Sequence, residues 1–225
     1  IPTDGVMLGN VLYINCLDQA AVLADAMGDT EKAQSYRETA ATAREAWNEF
    51  FIDPDTGKTK NTKGEIQDTQ ASYATPLRFH VVSDENLEKV LENYNATIAE
   101  ASGEDSDGMP IVPYTLTTGF NATGNLLNAL SDYGLNDTAY KLFESTDYAS
   151  WLYPVTQGAT SIWERWNGYT NELGFNGNNS MNSFNHYSLG AVYEWMVAYQ
   201  LGIKSDETQP GYQHFILQPT VGGDF

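Results

Sequence analysis

One short stretch of the chain combines a carboxylate with aromatic rings. Glu164 stands between Trp163 and Trp166, and Arg165 follows it directly. Indole surface partly desolvates a carboxylate and disfavours its charged form, an environment that suits a general base near neutral pH. Indole faces also suit the C–H faces of a sugar ring. The same pattern fits a surface salt bridge between Glu164 and Arg165 flanked by two core tryptophans, since perturbed carboxylates also occur in structural networks.

A histidine further along the chain is the second candidate for chemistry. His186 is predicted to open the last long helix, where its ring could donate to a sugar hydroxyl or hold Glu164 in place. A satisfied structural histidine is the alternative, because imidazole serves both purposes in proteins. His80 and His214 are interpreted as structural.

Other kinds of site find little support in the sequence. The three histidines are too widely spaced for a zinc motif, and no Gly-x-Ser-x-Gly elbow or glycine-rich phosphate loop occurs. The turn from Asp53 to Gly57 has an Asp-x-Asp-x-Gly spacing typical of calcium loops, but the acidic residue expected later in such a loop is missing. We therefore expect neither a metal nor a cofactor.

Charge restricts the partners that the chain can take. The net charge is -19, from 30 acidic and 11 basic residues. Nucleic acids and anionic membrane surfaces require clustered lysine and arginine, so neither is expected as a partner, whereas a neutral sugar is compatible. No apolar run is long enough for a membrane span. Cys16 is the single cysteine, which leaves the compartment undetermined, and nothing indicates an oligomeric state.

Helical hairpins are predicted for the elements that must position these residues. Two apolar stripes joined by a very short connection at Gly28 and Asp29 predict an antiparallel pair of helices. The first stripe, expected to be the buried side of its helix, consists of Leu12, Cys16, Ala20, Leu23 and Met27. The second stripe consists of Ala33, Tyr36, Ala40, Ala43, Trp47 and Phe50.

The remainder of the chain continues this pattern. A second hairpin begins near Asp68, a third runs from Gly119 to about Ser145, and a final long helix is predicted from Phe184 to Gly202. The intervening segments are read as a solvated acidic loop over 103–108, an extended stretch over 109–114, and a glycine- and asparagine-rich loop over 174–182. Residues 214–218 alternate in polarity like a strand.

Several stretches follow one another in the order found in a known enzyme family. They are Asp68–Gln70, Leu116–Phe120, Trp151–Tyr153, Gln157–Gly168, Ser183–Tyr187 and Pro210–Pro219. Through them the chain resembles the bacterial α-L-rhamnosidases of glycoside hydrolase family 78 over nearly its whole length. The resemblance implies an all-α fold, the C-terminal part of an (α/α)6 barrel built from antiparallel helical hairpins, with a short β-strand at the C-terminus. Residues 1–203 would form the partial barrel, and 204–225 the start of a β-sandwich domain.

The resemblance also implies a chemistry. Such enzymes invert the configuration at the anomeric carbon. One carboxylic acid protonates the leaving oxygen, and one carboxylate activates the attacking water. Glu164 matches the general base, while the general acid is expected in an upstream segment for which this chain has no match. Rhamnose-containing carbohydrate is the implied substrate. The substrate-binding residues implied are Trp163, Trp166, His186, Gln70 and Trp151. Asn167 departs from the aspartate often found there, which puts the role of that position in doubt.

Two alternatives to a complete rhamnosidase stay open. The first is a non-catalytic sugar-binding or structural piece that lacks the acid, and the second is another glycosidase on the same barrel. A second carboxylate facing Glu164 would distinguish an enzyme from a binding piece, because an inverting reaction needs two.

Overall fold

The computed structural model describes residues 3–105, 108–175 and 180–223. It divides into two compact units, Ile1–Thr97 and Ile98–Phe225. The first unit contains helices α1 (Gly5–Ala26), α2 (Thr30–Phe51), α3 (Gln70–Arg78) and most of α4 (Asp84–Ala99). The second contains α5 (Phe120–Asp132), α6 (Asn136–Glu144) and α7 (Tyr153–Thr156), followed by a 3₁₀ turn (Ser188–Ala191), α8 (Val192–Trp195) and a π turn (Met196–Gln200).

Short strands accompany the helices of the second unit. Strands β1 (Gly103–Glu104) and β2 (Pro110–Ile111) pair antiparallel, with Gly103 opposite Ile111. Strands β3 (Ile203–Ser205) and β4 (Phe215–Leu217) pair in the same sense, with Lys204 opposite Ile216. The predicted C-terminal strand is thus confirmed. The β1–β2 pair was predicted only as a loop and an extended stretch, and residues 106–107 of that loop lie outside the described residues.

The first hairpin forms as its sequence predicts. Asp29 caps α2, its carboxylate accepting from the amide of Lys32 at 3.0 Å, and Gly28 adopts φ +80° at the turn. The helices α1 and α2 pack along each other, and the indole of Trp47 donates to the carbonyl of Met7 at 3.2 Å. The α2 stripe is buried at Ala33, Ala40 and Trp47, although Phe51 replaces the exposed Phe50 at its end.

The predicted face of α1 is wrong. The buried positions are Met7, Val11, Ile14, Ala21 and Ala24, whereas Leu12, Cys16, Leu23 and Met27 are exposed. The reason is that α1 carries apolar residues on two sides, so that helical periodicity alone offers two stripes. Packing against α2 selects the stripe that the sequence pattern did not favour.

The start of α1 depends on one aspartate that joins it to a neighbouring loop. One oxygen of Asp4 accepts from the amides of Val6 at 2.8 Å and Met7 at 3.1 Å, and the other accepts from the Thr62 amide and hydroxyl at 2.8 and 2.7 Å. These bonds favour the charged form, with those from Thr62 the largest cause, and lower the pKa of Asp4 from 3.8 to about 2.

We expect Asp4→Ala to destabilise the protein by about 1 kcal/mol near pH 6, since it removes an N-cap. Because the folded-state pKa lies below the unfolded one, the stabilisation is complete above pH 3.8 and is lost as pH falls through about 2. The test is to measure the melting temperatures of the parent protein and of Asp4→Ala between pH 6 and 2. The difference between the two melting temperatures should become smaller as the pH falls. Asp29→Ala removes a cap without a second loop contact and serves as the matched control. A difference in melting temperature that grows as the pH falls would contradict the assignment of Asp4 as a charged N-cap.

Among the described helices, α1 is also long and apolar enough to cross a membrane, by length and composition only. Its most apolar 18-residue window has a mean hydropathy of 1.4. Core helices and signal sequences pass the same test, so the observation is weak evidence. In this fold Asp18 and Asp25 of α1 pair with Arg44 and Arg37 of α2. The absence of a membrane partner stays a prediction.

The core of the second unit brings α5, α6 and the C-terminal helical segment together. Leu126, Leu130 and Leu142 are fully buried, and the Trp195 ring lies edge-on to Tyr140 at 5.2 Å between ring centroids. Gly124 on α5 permits a close approach to the 3₁₀ turn, because a Cβ there would lie 3.1 Å from the Cβ of Ala191. This contact fixes the segment that follows His186.

The last helix begins later than predicted. Regular helical structure starts at Ser188 rather than Phe184, and it passes from a 3₁₀ turn through α8 to a π turn that ends at Gln200. His186 therefore precedes the helix instead of opening it. Phe184 packs edge-on against Trp163 and Phe175, and the backbone of Ser183 and His186 bonds to Glu164 and Ile162 instead of forming helical hydrogen bonds. In the predicted loop over 174–182, residues 176–179 lie outside the described residues.

Candidate active site

A pocket of about 260 Å³ in the second unit contains the central sequence motif. Its walls come from Asp105 just after β1, from the segment that leads into α5, from residues 164–167 of the motif, and from three single residues elsewhere in the second unit. The lining residues are Asp105, Thr118, Gly119, Phe120, Tyr148, Glu164, Arg165, Trp166, Asn167, Met181 and Leu189. Two of the stretches singled out in the sequence thus meet at one cavity.

Backbone hydrogen bonds hold the segment of Glu164 beside the segment of His186. The amide of Glu164 donates to the Ser183 carbonyl at 2.9 Å, and the amide of His186 donates to the Ile162 carbonyl at 2.9 Å. The Ser183 amide then donates to Oε2 of Glu164 at 2.8 Å. One carboxylate oxygen is therefore fixed by the backbone, which orients the other.

The second oxygen of Glu164 faces His186. Its Oε1 lies 4.0 Å from Nε2 of the histidine, and the two side chains are 16% and 23% exposed. The Ser188 amide donates to Nδ1 of the ring at 3.3 Å, so Nδ1 is an acceptor and the neutral ring carries its proton on Nε2. This distance of 4.0 Å is too long for a direct hydrogen bond, and a water molecule or hydroxyl could bridge the two atoms.

Aromatic stacking fixes the plane of the histidine. The imidazole lies nearly parallel to Phe120, with 4.8 Å between centroids, and to Tyr187, with 5.3 Å between centroids. Phe120 belongs to the pocket wall, whereas Tyr187 is 87% exposed. The ring therefore has little freedom to turn Nε2 away from Glu164.

The three tryptophans proposed for sugar binding occupy different positions. Trp166 lines the pocket and lies edge-on to Trp151 at 5.9 Å. Trp151 is buried and donates its indole N–H to the Leu189 carbonyl at 2.9 Å. Trp163 is buried against Tyr169 and Phe184 and is not part of the described pocket lining. Trp166 is thus the indole best placed to meet a ligand.

Gln70 belongs to the other unit. Its side chain is almost completely buried, and Nε2 donates to the carbonyl of Thr97 at 3.3 Å. The capping box of Thr69 and Ser72 fixes the start of its helix. A sugar-binding role for Gln70 stays a prediction.

Arg165 does not form the salt bridge that the structural alternative requires. Within the described chain its Nε and Nη2 atoms are buried without a hydrogen-bond partner. The described ion pairs of Glu164 include His186 but not Arg165. The carboxylate is therefore held by the backbone of Ser183 and not by the neighbouring guanidinium.

We expect Arg165→Met to leave the melting temperature unchanged or to raise it. Unsatisfied buried donors cost about 1–3 kcal/mol, and methionine fills similar volume without them. The measurement is thermal unfolding of Arg165→Met beside Arg44→Met. Arg44 does pair with an aspartate, so its replacement is the comparison. A loss of about 3–5 kcal/mol for Arg165→Met would instead identify it as a structural charge partner.

Sequence reasoning missed a second carboxylate in the pocket. Asp105 was read as part of a solvated acidic loop, yet it lines the same cavity as Glu164. Tyr148 donates its hydroxyl to Oδ2 of Asp105 at 2.8 Å. A local signal was the pair of prolines after the loop, which favour an extended backbone, and part of that stretch pairs with the two residues before Asp105.

No group of three or more His, Cys, Asp or Glu side chains able to hold a metal occurs among residues 3–105, 108–175 and 180–223. At the Asp53–Gly57 turn, the Asp53 carboxylate accepts from the Thr56 amide and hydroxyl at 2.9 and 2.7 Å. These bonds lower the pKa of Asp53 and close the turn.

Comparison with known proteins places the chain in a family. Residues 1–199 match the bacterial α-L-rhamnosidase six-hairpin glycosidase domain. An α-L-rhamnosidase of Formosa agariphila is 34% identical over 218 residues, covering 96% of this chain and 21% of that protein. One of Streptomyces avermitilis is 32% identical over 218 residues, covering 97% and 19%. The chain spans about a fifth of the length of these relatives.

Solved structures agree with this match. The Streptomyces avermitilis α-L-rhamnosidase complexed with L-rhamnose superimposes with a TM-score of 0.78 at 31% identity, covering 96% of this chain and 19% of that one. The Aspergillus terreus α-L-rhamnosidase gives 0.82 at 26% identity, covering 99% and 23%. The predicted fold class, helical hairpins of an (α/α)6 glycosidase domain, is confirmed. The chain belongs to the bacterial α-L-rhamnosidase six-hairpin glycosidase domain family.

Proposed function

We propose that this chain takes part in the hydrolysis of terminal α-L-rhamnose from glycosides or polysaccharides, with Glu164 as the general base of an inverting reaction. The observation that carries the proposal is the geometry of that carboxylate. Its Oε2 is fixed by the Ser183 amide, and its Oε1 faces the Nε2 of His186 across 4.0 Å at a sugar-sized pocket.

This arrangement suits the activation of a water molecule. A water that accepts from the Nε2–H of His186 and donates to Oε1 of Glu164 is oriented with its lone pair free for attack. As the water attacks the anomeric carbon, its proton passes to Oε1 while the glycosidic bond breaks. The leaving oxygen takes a proton from a general acid, which the family resemblance assigns to an upstream segment.

The pocket also suits the sugar. The indole of Trp166 offers an apolar face to the pocket. His186 lines a neighbouring pocket that shares Phe120 with this one, and Phe120 stacks on its ring. Names of the relatives, all α-L-rhamnosidases, favour rhamnose over another sugar. Trp151 supports this wall from behind through its ring contact with Trp166 and its hydrogen bond to Leu189, whereas Trp163 packs against Tyr169 and Phe184.

The test is hydrolysis by the natural protein that contains this chain. Nitrophenyl α-L-rhamnoside should be cleaved in preference to other nitrophenyl glycosides, and NMR should detect β-L-rhamnose as the first product. Release of the α-anomer would contradict inversion. Preferential cleavage of another glycoside would support a different glycosidase, and sugar binding without cleavage would support the non-catalytic alternative.

A further inference from the structure

The exposed ring of Tyr187 lies against the histidine that faces Glu164. The Tyr187 side chain is 87% exposed, and its ring lies nearly parallel to the imidazole of His186, with 14° between the planes and 5.3 Å between the centroids. This imidazole carries the Nε2 atom that lies 4.0 Å from Oε1 of Glu164. A tyrosine that buries so little surface gains little from the hydrophobic effect, so the stability of the fold depends little on its side chain.

The backbone of the 3₁₀ turn holds Tyr187 in place. Tyr187 caps this turn, and its carbonyl accepts from the amide of Gly190 at 2.9 Å. The Ser188 amide donates to Nδ1 of His186 at 3.3 Å, a length that restrains the imidazole only weakly. A parallel neighbouring ring adds a restraint that this bond lacks, because tilting the imidazole would break the stacked arrangement.

Phe120 also stacks on the imidazole, with 4.8 Å between the centroids, but its role cannot be isolated by mutation. Phe120 lines the pocket of Glu164, so its replacement would change the proposed sugar site as well. Phe120, His186 and Tyr187 together line the neighbouring pocket of about 530 Å³. A space of this size beside the imidazole would let the ring turn once a stacked neighbour is removed. Tyr187 is therefore the stacked residue whose effect on His186 can be measured separately.

We propose that Tyr187 is a positioning residue for hydrolysis, whose ring keeps Nε2 of His186 oriented toward Oε1 of Glu164. The inference rests on the proposed function, which places the attacking water between these two atoms. A small displacement of a group that orients a reactant slows the reaction, so loss of the stacked ring should reduce turnover. The role belongs to the ring and not to the phenolic hydroxyl, because the contact joins two ring planes.

The experiment compares Tyr187→Leu, which removes the ring, with Tyr187→Phe, which removes only the hydroxyl, in the natural protein that contains this chain. Tyr187→Leu should lower kcat on nitrophenyl α-L-rhamnoside about two- to tenfold with KM and melting temperature nearly unchanged, and Tyr187→Phe should restore the parent kcat. Tyr193→Leu is the matched control, because Tyr193 is a 69% exposed tyrosine of the same unit outside the described lining of both pockets.

Three results would overturn the inference. The first is an unchanged kcat in Tyr187→Leu. The second is a loss of kcat that Tyr187→Phe or Tyr193→Leu shares, because the ring of Tyr187 would then not be its cause. The third is an increase in KM without a loss of kcat, because it would identify Tyr187 as a contact of the substrate.

A double-mutant cycle tests whether Tyr187 acts through His186. His186→Ala removes the imidazole, so adding Tyr187→Leu to it should cause no further loss of kcat. Losses that multiply in the double variant would overturn the inference, because Tyr187 would then act by another route.

Crystal structures of the parent protein, Tyr187→Leu and Tyr187→Phe separate this inference from the proposed function. A parent protein that does not cleave rhamnosides contradicts the proposed function. An imidazole that turns away from Glu164 in Tyr187→Leu, but not in Tyr187→Phe, then still supports the positioning contact. A parent protein that cleaves rhamnosides, with an imidazole that keeps its orientation in Tyr187→Leu, contradicts the inference alone.

Discussion

In the natural protein that contains this chain, replacing Glu164 with glutamine should lower kcat by about 10²–10⁴ and leave the fold and rhamnose affinity nearly unchanged. The attacking water must lose a proton, and an amide cannot take it. Glutamine retains the shape of the side chain, and its carbonyl oxygen still accepts from the amide of Ser183. The expected rate loss corresponds to ~3–5 kcal/mol of activation free energy.

Three quantities measured on the same variant show whether Glu164 is catalytic or structural: kcat, rhamnose affinity and melting temperature. Glu172→Gln, an exposed glutamate of the same unit outside the described pocket lining, is the matched control. Wild-type kcat with a lowered melting temperature would contradict a catalytic role and favour a structural one. If azide restores turnover to Glu164→Gln, the product should be the β-azide, because an inverting enzyme forms no glycosyl intermediate.

Local patterns were sufficient to predict the helical hairpins. The stripe of Ala33, Ala40 and Trp47 on α2 is buried as predicted, because polar residues occupy the rest of that helix. On α1 the same reasoning identified the helix but not its buried face. Met7 and Leu12 begin two competing apolar stripes, and packing against the neighbouring helices, chiefly α2, decides between them. Periodicity therefore predicts that a helix forms more reliably than it predicts which face of the helix is buried.

Some features of the candidate active site can likewise be predicted from a short stretch of sequence, and others depend on long-range contacts. Glu164 and Trp166 are near neighbours in sequence, so their association was visible there. The contact of Asp105 with Tyr148 depends on the β1–β2 turn and on the course of the chain after α6, which no short window contains. The proton position on His186 depends on the Ser188 amide, and hence on the 3₁₀ start of the last helical segment.

The 225-residue chain expressed by itself should hydrolyse rhamnosides about 10²–10⁴ times more slowly than the Streptomyces avermitilis α-L-rhamnosidase. The reason is that the family resemblance implies a general acid in an upstream segment for which this chain has no match, so we expect the chain alone to lack it. Without an acid, the leaving oxygen must depart as an anion. The deficit should therefore be greatest for a rhamnosyl disaccharide and smallest for a dinitrophenyl rhamnoside, whose leaving group needs little protonation.

This dependence on the leaving group separates a missing acid from a misfolded chain, which would lose all substrates equally. Turnover of the disaccharide at a rate comparable to the Streptomyces enzyme would show that an acid lies within the 225 residues. Asp105 would then be the first candidate, because it is the other carboxylate of the described pocket lining. Asp105→Asn would in that case abolish disaccharide cleavage through kcat rather than KM, the reverse of the effect expected for a residue that binds hydroxyls.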